Sequence, residues 1–324
     1  MQVGITGGNG FIGSQLIELL LREGHNVTCL VRETSNLQWI ESLPITFVYG
    51  DVRVPESLPD FVQGKEIIFH CAGMVKGRPE DLMEANAGGT RNLLAAAMQS
   101  GPQLRRFVFV SSQEAVGLIS SDRPWTEDIL PAPRTDYGRS KARGEEFCSN
   151  FMSRLPITII RPSPVYGPRD RETFIFFKMA AKGVGMIPNP KTKVSVIYSG
   201  NLAYGIYQSA FAAESTGGTY FLADDDVLTW QSLNSVIGDA LGTQPKQLRI
   251  PKFILKSAAA FSEFFSGLAG KSSIVNRDKI SMLIHPNLVV SNTKAKKDFG
   301  YRQQISLHDA IRTTVDWYRK HGWI

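Results

Sequence analysis

Residues 6–13 read Thr-Gly-Gly-Asn-Gly-Phe-Ile-Gly. A β-rich run (residues 2–6) precedes them, and an apolar stripe at Ile12, Leu16, Leu19 and Leu20 follows, ending near Gly24. Strand, glycine turn, helix: this order constrains the chain more than anything else in it. Gly8, Gly10 and Gly13 satisfy a GxGxxG spacing, and Gly7, Gly10 and Gly13 a GxxGxxG spacing. A pyrophosphate can approach a backbone only where no Cβ blocks it, and the last glycine lets helix pack close to strand. The helix N-terminus adds unpaired N–H groups and the positive end of its dipole. The plain alternative is a tight turn with no ligand; the flanking strand and helix favour a bound dinucleotide.

Further β-rich runs fall at residues 27–31, 46–49, 67–70, 107–111 and 157–161, with segments of helical spacing between them. Leu93, Leu94, Ala97 and Met98 form one stripe; Phe147 and Phe151 continue another that begins near Tyr137. Alternation at this pace predicts βαβ units on a doubly wound parallel sheet, an α/β fold with its ligand at the carboxyl ends of the strands. After about residue 165 the pattern becomes irregular. Gly183, Gly185, Pro188 and Pro190 mark loops, a strand–helix unit follows at residues 194–197 and 202–213, and helices are predicted near residues 230–241 and 307–321. The expected division is residues 1–165 (plus about 193–213) as a nucleotide-binding domain, with residues 166–192 and 214–324 as a smaller, mostly α C-terminal lobe that selects substrate.

Composition excludes several classes. The 324 residues are 43% hydrophobic and 20% charged, enough apolar material for a large core and too much for a disordered chain. No apolar run reaches the length of a bilayer-spanning helix. The N-terminus reads as a strand rather than a signal peptide. The net charge of +6 is scattered, without the basic stripe or motif of a nucleic-acid binder. Cys29, Cys71 and Cys148 are far apart and odd in number, which predicts reduced thiols and a cytoplasmic protein. No Cys/His spacing suggests a metal.

The ends of the predicted strands name the cofactor contacts. The second ends Val31-Arg32-Glu33. An acidic residue at Val31 would bind the 2′-hydroxyl of NAD, whereas Arg32 suits the 2′-phosphate of NADP. NADP is therefore the expectation, with NAD, Glu33 binding the hydroxyl, as the alternative. Asp51, followed by Val52, ends the third strand and can accept from an adenine amino group; otherwise it caps a turn. His70-Cys71-Ala72-Gly73 ends the fourth, and its small residues leave room for ribose and phosphates. His70 reads as a satisfied core side chain.

Tyr137 and Lys141 are four apart and share a helix face, with Thr135 and Asp136 as caps before them. A nearby ammonium favours a phenolate, so Lys141 is expected to lower the Tyr137 pKa and also to hold ribose hydroxyls. The fifth strand ends in Ser111-Ser112. A hydroxyl there can orient a substrate oxygen; Ser112 is the expected one, Ser111 the alternative. Asn86 is expected to open a helix over residues 86–98, as its N-cap and as a residue positioning Lys141.

Together these residues resemble the extended short-chain dehydrogenase/reductase family. The resemblance rests on residues 6–13, Gly50-Asp51-Val52, Asn86 with residues 89–94, Ser111-Ser112, Tyr137 with Lys141, residues 161–168 and the ending at residues 294–323. It implies a Rossmann fold, a Ser-Tyr-Lys catalytic set, and a nicotinamide cofactor held by Gly7, Asn9, Gly10, Phe11, Ile12, Gly13, Val110, Pro162 and Val165 besides the residues above. It also implies a homodimer. Nucleotide-sugar members usually carry Asn where this chain has Pro164, and often Asp where it has Asn201; their dehydratases add an acidic pair where this chain has Gln113 and Glu114.

Phe174, Phe176 and Phe177, and the Phe-rich residues 253–268, suggest an apolar substrate wall or, for the latter, a core-facing helix, a lid or a peripheral membrane contact. Asp224, Asp225 and Asp226 read as a solvated turn. The leading expectation is hydride transfer interconverting a secondary alcohol and a ketone. A nucleotide-sugar epimerase or dehydratase with tightly bound NAD is the second, and a non-catalytic cofactor sensor the third.

Overall fold

The computed structural model describes residues 1–99, 103–119, 121–255, 257 and 277–324. Six early strands are β1 (Gln2–Thr6), β2 (Asn26–Val31), β3 (Thr46–Tyr49), β4 (Ile67–His70), β5 (Arg106–Val110) and β6 (Ile157–Pro162). Their cores are runs of Val, Ile, Leu and Phe buried along β1, β2, β4, β5 and β6, as expected for parallel strands covered on both faces. A seventh strand, Thr219–Leu222, pairs with β6. The order is Thr219–Leu222, β6, β5, β4, β1, β2, β3, and every neighbouring pair is parallel. The winding reverses between β1 and β4, which opens a crevice at their carboxyl ends.

Helices Phe11–Arg22 and Ser199–Phe211 cover one face, packing Leu16, Leu20, Leu202 and Ile206 on Val3, Ile5 and Val27. Helices Gly89–Ala97 and Asp136–Phe151 cover the other, where Leu93, Leu94 and Cys148 meet Phe107, Phe109 and Ile159. A separate core lies beyond the sheet. There Phe176 stacks on Trp230 at 5.1 Å, and Tyr318, Leu233 and Ile311 complete the packing.

Several expectations are corrected. Thr219–Leu222, assigned from sequence to the second lobe, belongs to the main sheet, which it joins by parallel pairing with residues 159–162 of β6, a long-range contact that local pattern does not mark. The strand expected at residues 194–197 is two short strands, Lys193–Ser195 and Ile197–Tyr198, in separate small sheets. Helical structure begins at Pro79, well before Asn86, and passes through a π-helical stretch, Met83–Gly88. Phe176 and Phe177 are core residues rather than a substrate wall. Asp224 is buried, not solvated: it accepts from the Tyr198 N–H (2.9 Å) and from Asn201 (2.8 Å). Of the Phe-rich segment, Phe253 and Ile254 are exposed, while Phe261, Phe264, Phe265 and Leu268 lie outside the described residues. Among the described residues no helix is long and apolar enough to cross a membrane, and no group of His, Cys, Asp or Glu side chains suits a metal.

Candidate active site

The glycine turn is built as the sequence requires. Gly7 has φ +69°, and a Cβ on it would stand 2.5 Å from the Ala72 nitrogen. Its carbonyl accepts from Gly10 N–H at 3.0 Å. A Cβ on Gly13 would overlap the Gly7 carbonyl oxygen. Gly10 is the N-cap of the Phe11–Arg22 helix and supplies no side-chain acceptor, so the first-turn N–H groups keep their capacity for an anion.

A cleft of about 250 Å³ opens beside this turn, at the carboxyl ends of β1, β2 and β4. Of the residues expected to contact cofactor, Gly7, Asn9, Gly10, Arg32, Asp51, Val52, Cys71, Ala72 and Gly73 line it. Phe11, Ile12, Gly13, Val110, Tyr137, Lys141, Pro162 and Val165 are not among its lining residues. Arg53, Ser35, Met74 and Ala85 line it without having been singled out from sequence. A glycine-floored cleft ending in cations fits a dinucleotide: the turn tolerates no Cβ, and the far end carries Arg32 and Arg53.

That far end is ordered by its own hydrogen bonds. Arg32 N–H donates to Ser35 Oγ (3.1 Å), closing a turn. Arg53 grips Asp51 with two guanidinium nitrogens, the shortest contact being 2.6 Å. Its charge and hydrogen bonds hold the Asp51 carboxyl below the usual range. Asp51 also accepts from the Arg53 N–H (2.9 Å), the turn-capping role weighed for it. Glu33 does not line the cleft.

Beyond the cleft, Thr135 caps the Asp136–Phe151 helix by accepting from Gly138 N–H (2.8 Å), so the cap is Thr135 rather than Asp136. Lys141 is buried; its Nζ donates to the Val110 carbonyl (2.8 Å) and lies 5.0 Å from the Phe109 ring centre. Asn86 is buried too. Its amide donates to Ser140 Oγ and the Met74 carbonyl, both at 2.8 Å, and accepts from Met74 N–H at 2.7 Å. Asn86 is therefore a mid-helix bridge, not an N-cap. A Cβ on Gly73 would stand 2.9 Å from Asn86 Oδ1 and 3.2 Å from Lys141 Nζ. The rim of the cleft thus reaches the Lys141 ammonium across a glycine.

The two serines part company. Ser111 Oγ donates to Glu145 Oε1 at 2.6 Å inside the protein. Ser112 is half-buried, accepts from Glu114 N–H (3.1 Å) and contacts the Tyr137 phenol. The Tyr137 pKa is raised, contrary to expectation: burial is the larger cause and the Glu114 carboxylate the next, with Ser112 pulling the other way. Burial pushes Lys141 down to about 8, while Cys71, Glu145 and Cys148 pull it up. His70 is the core residue expected. It bonds Thr6 Oγ1 (2.7 Å) and Thr90 Oγ1 (3.0 Å), and burial pushes it down to about 3.

With this geometry in place, comparison with known proteins decides the family. The model of the NAD dependent epimerase/dehydratase family matches residues 3–202. The chain belongs to that family. It is an NAD(P)-dependent enzyme of the extended short-chain dehydrogenase/reductase type. It is 29% identical over 326 residues to the ceramide reductase of Caulobacter vibrioides, covering 99% of this chain and 96% of that one. It is 24% identical over 352 residues to 3beta-hydroxysteroid-dehydrogenase/decarboxylase isoform 2 of Arabidopsis thaliana, covering 96% and 61%. The UDP-glucose 4-epimerase of Thermus thermophilus, solved with NAD, has the same fold: TM-score 0.78, 24% identity, 98% and 99% covered.

Proposed function

We propose that this family member is an NADP-preferring reductase that interconverts a ketone and a secondary alcohol on a largely apolar substrate. The observation that carries the reading is the convergence of Ser112, Tyr137 and Lys141 where β5 and the Asp136–Phe151 helix meet, one glycine from the cofactor cleft. When bound, the nicotinamide supplies the two-electron chemistry. Tyr137 gives a proton to the carbonyl oxygen in reduction and takes it back in oxidation. Its raised pKa suits the donor role. Ser112 holds that oxygen, and the Lys141 ammonium stands ready for ribose hydroxyls.

Arg32 and Arg53 support NADP, since a 2′-phosphate would meet two guanidinium groups at that end of the cleft. An apolar substrate agrees with the names of ceramide reductase and hydroxysteroid dehydrogenase among the relatives, and with Pro164 at a position where a sugar nucleotide would want an amide. Likeness to the epimerase supports the fold alone.

The test is a cofactor-consumption screen with NADPH and NADH against long-chain ketones, sterol ketones and UDP-glucose. Turnover of an apolar ketone with NADPH, abolished in Tyr137→Phe while NADP still binds, is the expected result. Turnover retained in Tyr137→Phe overturns the assignment of the site. Sugar-nucleotide conversion with NAD that co-purifies and is never consumed would favour epimerase chemistry instead.

A further inference from the structure

The three residues at the end of β5 each engage a different position of one helix. Val110 offers its carbonyl to Lys141 Nζ (2.8 Å), Ser111 Oγ donates to Glu145 Oε1 (2.6 Å), and Ser112 contacts Tyr137. Tyr137, Lys141 and Glu145 follow one another at intervals of four, so they line one face. Glu145 is gripped from the sheet as well: Arg161 Nε reaches Oε1 at 2.9 Å and Nη2 reaches Oε2 at 2.6 Å. We propose that Glu145, clamped by Ser111 and Arg161, is a positioning residue that keeps the buried Lys141 charged and aligned with Tyr137. The proposal rests on the reading of Lys141 given above.

Lys141, Glu145 and Arg161 are all at least nine-tenths buried. A buried ammonium is stable only beside compensating charge or dipoles. The hydrogen-bond partner of Lys141 Nζ is a neutral carbonyl, and the Phe109 ring adds a weak attraction. The titratable groups around it are few. Tyr137, Glu145 and Cys148 share its helix, His70 and Cys71 come from the end of β4, and Arg161 comes from β6. Burial pushes the Cys71 thiol up to about 12 and Cys148 well above its ordinary range, so both are neutral near pH 7. The raised Tyr137 is neutral there too, and so is His70. Glu145, in its ion pair with Arg161 at 2.6 Å, is the carboxylate of the group. Arg161 fixes its orientation, and the carboxylate charge lies one helical turn from Lys141.

An ion pair that only fastened helix to sheet would respond alike to loss of either partner. A charge-setting role predicts opposite signs. The experiment follows Lys141 in the cofactor-free protein through the Cε resonance of 13C-lysine-labelled samples, assigned with Lys141→Arg. Glu145→Gln lowers the titration midpoint by about one pH unit or more, because an opposite charge one helical turn away is lost. Arg161→Gln raises it, because a competing cation is lost. Glu145→Asp keeps the charge and stays within a few tenths of a unit of the parent, as order-of-magnitude expectations.

An unmoved midpoint in folded Glu145→Gln overturns the proposal, as does a fall in Arg161→Gln. Should Glu145→Gln fail to fold, the sign of the Arg161→Gln shift decides. Retained turnover in Tyr137→Phe would sink the reading of the site, whatever the titration shows. A dead Tyr137→Phe with an unmoved Lys141 titration sinks this inference alone.

Discussion

The Asn86 amide donates to Ser140 Oγ at 2.8 Å and so ties a π-helical turn to the helix that bears Tyr137 and Lys141. The same amide also makes both hydrogen bonds to Met74, at the rim of the cleft. π-Turns inside helices recur at functional sites, and here the turn brings one side chain to three partners. Asn86→Ala removes all three bonds; Ser140 Oγ keeps its bond to the Tyr137 carbonyl (2.8 Å), while the half-buried Met74 N–H and carbonyl lose this partner. The expected loss is about 3 kcal/mol of stability, from the usual worth of about 1 kcal/mol for each lost hydrogen bond, together with a large fall in turnover. Urea unfolding at pH 7 measures the first; a loss under about 0.5 kcal/mol would show that water replaces the amide.

Gly7 is the position where a side chain is least tolerable. Its positive φ disfavours any L-residue, and the Ala72 backbone fills the place of a Cβ. Gly7→Ala must open the gap between β1 and β4, the two strands that form the crevice. The expected result is destabilisation of about 2 kcal/mol or more, since both the left-handed strain and the overlap add. NADP affinity should also fall at least about tenfold, which corresponds to 1.4 kcal/mol. Isothermal titration of the folded variant checks this; unchanged affinity would remove the turn from the binding site.

Much of this was legible in the sequence because it is local. β1, β3 and β4 match the runs read from sequence, β2 and β6 differ by one residue at one end and β5 by one residue at each end, and the Tyr137/Lys141 face follows from helical spacing. What was missed is long-range. Thr219–Leu222 joins the sheet through pairing with β6, and its four residues carry no mark of that partner. Asn86 reads as a cap because Asn commonly is one, and only the fold shows its three bonds. Asp224 sits in an acidic triplet, yet Tyr198 and Asn201 draw it inside while Asp225 pairs with Lys296 at the surface. Arg53 lay outside the motif positions and enters the site through its grip on Asp51.

Two buried groups make opposing demands on acid stability. His70 falls from 6.5 to about 3 on burial. Between those values the unfolded chain binds more protons there, so stability falls as pH falls. Asp224 rises from 3.8 to about 7, chiefly by burial. Between those values the folded chain binds more protons, so stability falls as pH rises. Each slope approaches about 1.4 kcal/mol per pH unit, and from pH 7 to 5 the two nearly cancel. His70→Gln should therefore gain stability on acidification relative to the parent, and Asp224→Asn should lose it. Urea midpoints at pH 5 and 7 separate them; parallel slopes in all three proteins would refute both assignments.

Arg32 and Arg53 make separable claims on the cofactor. Arg32→Ala should weaken NADP binding about tenfold, the worth of one charge-assisted hydrogen bond, and leave NAD within about twofold. Arg53→Ala removes a cation and also frees the Asp51 carboxylate that it holds at 2.6 Å. A bare carboxylate repels a 2′-phosphate, so the NADP loss should exceed that of Arg32→Ala. Both affinities must be measured at one ionic strength, since exposed charges are screened. Equal losses for NAD and NADP would mean that neither guanidinium reads the 2′ position.

Glu114 links the serine to the tyrosine. Its N–H donates to Ser112 Oγ at 3.1 Å, and its carboxylate accepts from Thr135 Oγ1 at 2.9 Å, the hydroxyl that caps the tyrosine helix. Its charge is also the main electrostatic cause of the raised Tyr137 pKa. Glu114→Gln keeps an acceptor for Thr135 and removes the charge, so geometry survives while the phenolate becomes easier to form. Alcohol oxidation needs that phenolate, and reduction needs the phenol. The acid limb of kcat/KM for NADP-linked oxidation should therefore move down by about half a pH unit or more, with cofactor affinity unchanged. An unmoved limb, in a variant that still binds NADP as the parent does, would mean that solvent screens Glu114 from the phenol and that burial alone sets its pKa.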